Sequence, residues 1–230
     1  MNENRKGQLS VSLMCLGFDM IPENLKIFEA NKIEFLHVDV MDGSFVPNFA
    51  YGPDFIKRLH QITDIPLDIH LMVEHIDESI HWFEVRPNDH VSLHCEGTCH
   101  IHKCLDHLLQ RGAKPFIAIN PGTPINVLEE IADYVAGVLV LCVNPGFAGQ
   151  KIVPHTIEKV GRVKRLLHEL GHDDVIVEVD GNVSFENAPK LYAQGADIFV
   201  AGTSSIFNGK EINGQIGKIR RCIGWSEDEL

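Results

Sequence analysis

The chain has no apolar stretch approaching the roughly 20 uncharged residues that a bilayer span requires, which excludes a membrane-spanning helix. Residues 1–7 are polar and do not read as a signal peptide, so the expected compartment is the cytoplasm. Asp228-Glu229-Leu230 echoes a retention signal, but without an entry signal it has nothing to act on. Basic residues are scarce: 20 Lys and Arg stand against 32 Asp and Glu, a net charge of −12. That balance repels nucleic acid and acidic membrane surfaces as partners, while leaving room for a small anion site built from backbone N–H groups. Cysteines number six and include no C-x-x-C pair, so reduced thiols are expected. His94, Cys95, Cys99, His100, His102, Cys104 and His107 are rich in potential ligands, yet they miss the usual zinc spacings and read as ordinary loop and helix residues. The dinucleotide fingerprint G-x-G-x-x-G is absent, and so is any low-complexity linker.

The chain does contain regular alternation. Apolar runs of strand length fall at 9–13, 35–40, 67–71, 91–94, 116–119, 138–143, 175–179 and 198–201, and segments of helical spacing follow each one. Pro22 and Glu23 open one helix, and Pro154 opens a long one reaching about Leu170. Gly112, Gly171 and Gly195 stand where helices should stop. Eight such units in 230 residues predict a single-domain α/β protein, a closed (β/α)8 TIM barrel over residues 1–230, rather than an open sheet. Residues 1–7 and about 224–230 are expected to be loose tails.

In a strand, alternate side chains share a face. In His37-Val38-Asp39-Val40-Met41-Asp42, the residues Leu36, Val38 and Val40 should meet the helices, which turns His37, Asp39 and Met41 toward the barrel axis. The same reasoning places His70 beside Met72 and puts Asp180 at the end of the seventh strand. Any one of these is ordinarily a core histidine or a turn carboxylate. Four uncompensated polar groups at one barrel mouth, however, carry a large desolvation cost unless a cation satisfies them. Two neutral imidazoles and two carboxylates suit Zn2+, Fe2+, Mn2+ or Co2+. Glu178 should lie one layer deeper, orienting a ligand or making a buried hydrogen bond, and Asp42 should fix the following loop. Three turns look able to hold phosphate: Gly146, Phe147, Ala148 and Gly149; Gly181 and Asn182 after Asp180; and Gly202, Thr203 and Ser204 after the eighth strand.

Four stretches resemble the signatures of the ribulose-phosphate 3-epimerase family: His37-Val38-Asp39-Val40-Met41-Asp42-Gly43-Ser44-Phe45-Val46-Pro47-Asn48, Asp68-Ile69-His70-Leu71-Met72-Val73, Val143-Asn144-Pro145-Gly146-Phe147-Ala148-Gly149-Gln150 and Glu178-Val179-Asp180-Gly181. The resemblance runs over residues 9–207. It implies interconversion of ribulose 5-phosphate and xylulose 5-phosphate in the pentose phosphate route, with a divalent metal held by His37, Asp39, His70 and Asp180. It also implies Asp39 and Asp180 as the catalytic acid and base, and a chain that self-associates. Ser12, His37, Met41, His70, Met72 and the three glycine turns should line the site. Ala148, Asn182 and Leu141 depart from the commonest pattern of the family. Ser12-Leu13-Met14-Cys15, Ala148 and the turn 202–207 are more similar to the allulose-6-phosphate 3-epimerase branch, which gives a rival substrate one carbon longer, whereas His94-Cys95-Glu96 with His100-Ile101-His102 is similar to the pentulose branch.

Two other functions compete. Sugar-phosphate decarboxylases and aldol-cleaving enzymes of a related barrel class carry Asp-x-Lys-x-x-Asp at the second strand. Here Asp39-Val40-Met41-Asp42 has no lysine, and neither Lys114 nor Lys151 is placed to form a Schiff base. The other is a sugar-phosphate-binding or metal-binding protein without turnover, against which the intact pair Asp39 and Asp180 weighs.

Overall fold

A computed structural model describes residues 5–229. Eight parallel strands close into a barrel in sequence order: β1 Gln8–Ser12, β2 Phe35–Met41, β3 Leu67–Met72, β4 His90–His94, β5 Lys114–Ile119, β6 Gly137–Leu141, β7 Ile176–Asp180 and β8 Ile198–Ala201. Each boundary lies within two residues of the one expected from the apolar runs. The helices are α1 Ile21–Ala30, α2 Pro53–Ile62, α3 Ile76–Ser79, α4 Ile101–Gln110, α5 His155–Glu169, α6 Ala188–Ala193 and α7 Ile212–Cys222.

Helix boundaries follow local chemistry. Pro22 and Pro53 occupy the first turns of α1 and α2, where a missing N–H costs nothing. Gly112, Gly171 and Gly195 sit just beyond α4, α5 and α6 with φ of 79°, 86° and 105°, a left-handed stop that a Cβ disfavours. Glu211 caps α7 by accepting from Asn213 N at 2.9 Å and Gly214 N at 2.7 Å. One crossover departs from expectation. No α-helix follows β5; two 3-10 segments, Ile125–Glu130 and Ala132–Tyr134, carry the chain to β6. Pro121 and Pro124 at the entry remove two backbone donors.

Leu36, Val38 and Val40 on β2, like Leu67, Ile69 and Leu71 on β3, pack outward among helix residues such as Leu25, Phe28, Ile56 and Leu59. Each such buried side chain stabilises the layered wall by about 1.5–3 kcal/mol. The inward residues fill the barrel in tiers: Phe35, Phe116 and Ile198 near its base, Ala118, Leu139 and Leu141 further up one wall, and Met41, Val46 and Met72 at the mouth.

The ends are less loose than expected. Arg5 Nη1 donates to Ala196 O at 2.9 Å, Gly7 N donates to Ile223 O at 2.8 Å, and Trp225 Nε1 donates to Gly7 O at 2.8 Å. Of the tail expected at 1–7, the part from Arg5 onward is therefore docked, and of that expected at 224–230, the part up to Trp225, while residues 226–229 are exposed. A buried backbone with partners has no reason to detach. Residues 1–4 and 230 lie outside the described residues.

Candidate active site

β2, β3 and β7 bring His37, Asp39, His70 and Asp180 together, with one ligand atom of each lying within 4.8 Å of all the others. Strand register does this: Asp39 sits beside His70 in the β2–β3 pairing, and the barrel's closure carries β7 round to face them. His37 Nε2 lies 3.3 Å and His70 Nδ1 3.4 Å from the same oxygen, Asp39 Oδ1. Both ring nitrogens are buried without a hydrogen-bond partner. Unpartnered buried nitrogens aimed at a carboxylate, with a second carboxylate in reach, form a donor set that fits a divalent cation.

A second ring of groups holds the first. Asp68 Oδ2 accepts from His37 Nδ1 at 2.5 Å and from Ser10 Oγ at 2.7 Å. Nδ1 of His37 is thereby the protonated nitrogen, and Nε2 is left to point into the cluster. Burial works against charge on His37, but Asp68 and Asp39 outweigh it and hold the imidazole well above its ordinary range. A cation competes with that proton for Nε2. Glu178 is fully buried, and desolvation together with the negative Asp68 pushes it well above the carboxylate range. That direction favours the neutral acid, for which the neighbouring Asp68 carboxylate is an acceptor. Burial, and repulsion from Asp39 opposed by His37, raise Asp180; burial opposes ionisation of Asp39, but the two imidazoles win and lower it.

Above the cluster opens a cavity lined by Ser12, Asp39, Met41, Met72, Leu141 and Asp180, and ringed by the turns at 146–149, 181–182 and 202–204. Gly181 has φ of 104° and faces Val143 so closely that a Cβ would come within 2.6 Å of it. Only glycine fits this turn. Asn182 adopts φ of 53°, which asparagine tolerates, and its Nδ2 donates to Gln150 O at 2.7 Å. The departure from glycine at that position therefore serves to tie the β6 and β7 turns together. Ala148 is not among the residues with positive φ, so its methyl group strains nothing. Among the described residues the backbone N–H groups of Gly181, Asn182 and Ser204 have no partner and stand free to bind an anion.

The structure places the expected lining residues around this cavity, with two exceptions: His37 and His70 are fully buried beneath Asp39 and do not reach its wall. Asp42 holds its loop as expected, accepting from Ser44 N, Phe45 N and Glu74 N at 2.8, 2.9 and 2.8 Å. Sequence reasoning missed Ser10, Asp68 and the part played by His94. The signal was present for two of them. Asp68 shares a face with His70, and the alternation His90-x-Ser92-x-His94 turns three polar residues inward on β4.

Structures of the same architecture include 3-hexulose-6-phosphate synthase from Salmonella typhimurium (TM-score 0.67, 14% identity, 94% of this chain and 98% of that one) and orotidine 5'-phosphate decarboxylase from Pyrococcus horikoshii (TM-score 0.64, 14% identity, 95% and 100%). These likenesses speak for the fold alone. At the sequence level the chain is 36% identical over 213 residues to the ribulose-phosphate 3-epimerase of Bacillus subtilis, covering 93% of this chain and 98% of that protein. It is 38% identical over 205 residues to a chloroplastic ribulose-5-phosphate-3-epimerase of Arabidopsis thaliana, covering 88% and 72%. The pattern that defines the ribulose-phosphate 3 epimerase family matches residues 8–207. With that match and these identities, the chain belongs to the ribulose-phosphate 3-epimerase family.

Proposed function

We propose that this protein is an isomerase that epimerises D-ribulose 5-phosphate to D-xylulose 5-phosphate at C3, by two-base proton transfer through an enediolate. The observation that carries the reading is the convergence of two unpartnered imidazole nitrogens and two carboxylates beneath a cavity ringed by anion-binding turns. His37, Asp39, His70 and Asp180 would hold a divalent cation, Zn2+, Fe2+, Mn2+ or Co2+, which when bound would supply Lewis-acid stabilisation of the developing negative charge.

The chain's own residues supply the rest. Inversion requires that a proton leave one face of C3 and return to the other. Asp39 and Asp180 stand on strands separated by β1 and β8 and both border the cavity, so one takes the proton, the other returns it, and the roles exchange in the reverse direction. Ser12 Oγ lies 3.4 Å from Asp39 Oδ2 and steadies its second oxygen. Met41, Met72 and Leu141 give the wall an apolar surface that excludes water from the planar intermediate. The turns bearing Gly146, Phe147, Ala148, Gly149, Gly181, Asn182, Gly202, Thr203 and Ser204 hold the phosphate. A cytoplasmic location and a self-associated form belong to the same reading. Among the described residues no helix is long and apolar enough to cross a membrane.

The test follows solvent deuterium into C3 while kcat/KM is compared for ribulose 5-phosphate and allulose 6-phosphate, using protein stripped and reloaded with each cation. Deuterium incorporation with preference for the pentulose phosphate is expected. Preference for allulose 6-phosphate would select the hexulose branch suggested by Ala148 and the turn at 202–207. Stoichiometric binding without deuterium uptake would select a sugar-phosphate-binding protein.

A further inference from the structure

β4 places a histidine just outside the cluster. His94 is fully buried, and its Nε2 lies 2.8 Å from Nε2 of His70, with the ring centroids 5.0 Å apart and the planes inclined by 27°. At that distance one nitrogen donates and the other accepts. Its other nitrogen, His94 Nδ1, lies 3.3 Å from Glu96 Oε2, and Thr123 Oγ1 donates to Glu96 Oε1. An ionised carboxylate only accepts, so Nδ1 of His94 bears the hydrogen. Nε2 of the neutral ring is then bare and accepts from His70 Nε2–H. What remains on His70 is an unprotonated Nδ1, the buried, unpartnered atom 3.4 Å from Asp39 Oδ1.

We propose that Glu96 and His94 are positioning residues that form a two-step tautomer relay, holding His70 in its Nε2–H form so that the Nδ1 lone pair is committed to the cation. The inference rests on the reading of the cluster as a cation site and adds the residues that fix its second imidazole. His37 is set in one step, by Asp68 on Nδ1, and offers Nε2; His70 is set in two steps and offers Nδ1. The far end of the relay is anchored. Lys159, 1% exposed, donates through Nζ to the carbonyls of Asn120 at 2.5 Å, Pro121 at 3.3 Å and Thr123 at 2.6 Å, fixing the loop that presents Thr123 to Glu96. Its hydrogen bonds are spent on those carbonyls.

The experiment pairs disruptive and conservative variants. Glu96→Ala and His94→Leu break the relay. In His94→Gln the amide oxygen can still accept from His70, and in Glu96→Gln it can still accept from His94. Two readouts are taken: the Co2+ dissociation constant by competition with a chromophoric chelator, and the 15N shifts of the His70 ring in cation-free protein, which report its tautomer directly. Glu96→Ala and His94→Leu are expected to weaken Co2+ binding about 10–100-fold, while the glutamine variants stay within a few-fold of the parent. The parent should show His70 protonated on Nε2, and Glu96→Ala should show a mixture. Folded Glu96→Ala and His94→Leu proteins with parental affinity would overturn the relay, as would a parent protein with the hydrogen on Nδ1. If the disruptive variants do not fold, the parental tautomer decides. A parent that takes up no Co2+ overturns the cation site instead, and the relay is then judged by the His70 tautomer alone.

Discussion

Where the strands begin, at the barrel's base, Phe35, His90 and Phe116 form a continuous stack with ring centroids 4.2 and 4.4 Å apart, and Gly137 lies so close to Phe116 that a Cβ there would come within 2.2 Å of the ring. Where the strands end, at the mouth, His37 Nε2 and His70 Nδ1 lack partners, two carboxylates crowd them, and the surrounding turns leave N–H groups free. The same closed sheet carries both ends. One end packs its rings against each other and gains dispersion and apolar burial that outweigh the unpartnered Nδ1 of His90; the other gathers several unsatisfied polar groups and is held in place by Asp68, Ser10 and the rest of the barrel. Stability and reactivity are thus spatially separated along one axis, and changes at the two ends should produce different losses.

The largest expected effect belongs to the base. Phe116→Ala should cost about 3–5 kcal/mol in urea-induced unfolding, while kcat of the folded fraction stays near the parental value. A matching loss in kcat would show that the ends are coupled and break the comparison. Next is a pH effect of the same region. Burial lowers His90 to about 4 from an ordinary 6.5, so between those values the unfolded chain takes up a proton that the folded one refuses. Stability should therefore fall as pH drops from about 6.5 to 4, by at most about 3 kcal/mol, and His90→Gln should flatten that slope in unfolding measured at pH 7 and 4.5. At the mouth, Asp180→Asn removes the proposed proton carrier and anionic ligand together. Turnover should fall about 100-fold or more, with no loss in the melting temperature of the cation-free protein because a repulsion against Asp39 is relieved. Near-parental turnover would reject the role given to Asp180. The smallest effect should come from Asn182→Gly, whose backbone accepts glycine. Loss of its bonds to Gln150 O and from Asn187 Nδ2 should cost about 1–2 kcal/mol of stability and appear as a raised KM with kcat unchanged.

The eight strands were legible because each couples an apolar outer face to a turn signal, and both leave a local trace. His37, Asp39, His70 and Asp180 were legible because alternation decides which way they point once a barrel is assumed. The missing helix after β5 was not: its helical spacing was outweighed by Pro121 and Pro124. Asp68 and His94 were overlooked for a different reason. Each acts through another residue's ring nitrogen, and that depends on cross-strand register, as in the pairings of His37 with Asp68 and His70 with Ser92. No single strand contains that information.

Gly7 and Trp225 meet by a direct hydrogen bond beneath the barrel, on the side away from the cavity. The strand order is a ring, and this contact nearly closes the covalent chain into one too. A short linker running from Trp225 to Gly7 would close the ring and let the polypeptide be opened elsewhere, for instance in the exposed Asn208-Gly209-Lys210 bend. The reacting groups would keep their neighbours under such a permutation, since none of them depends on which strand is synthesised first.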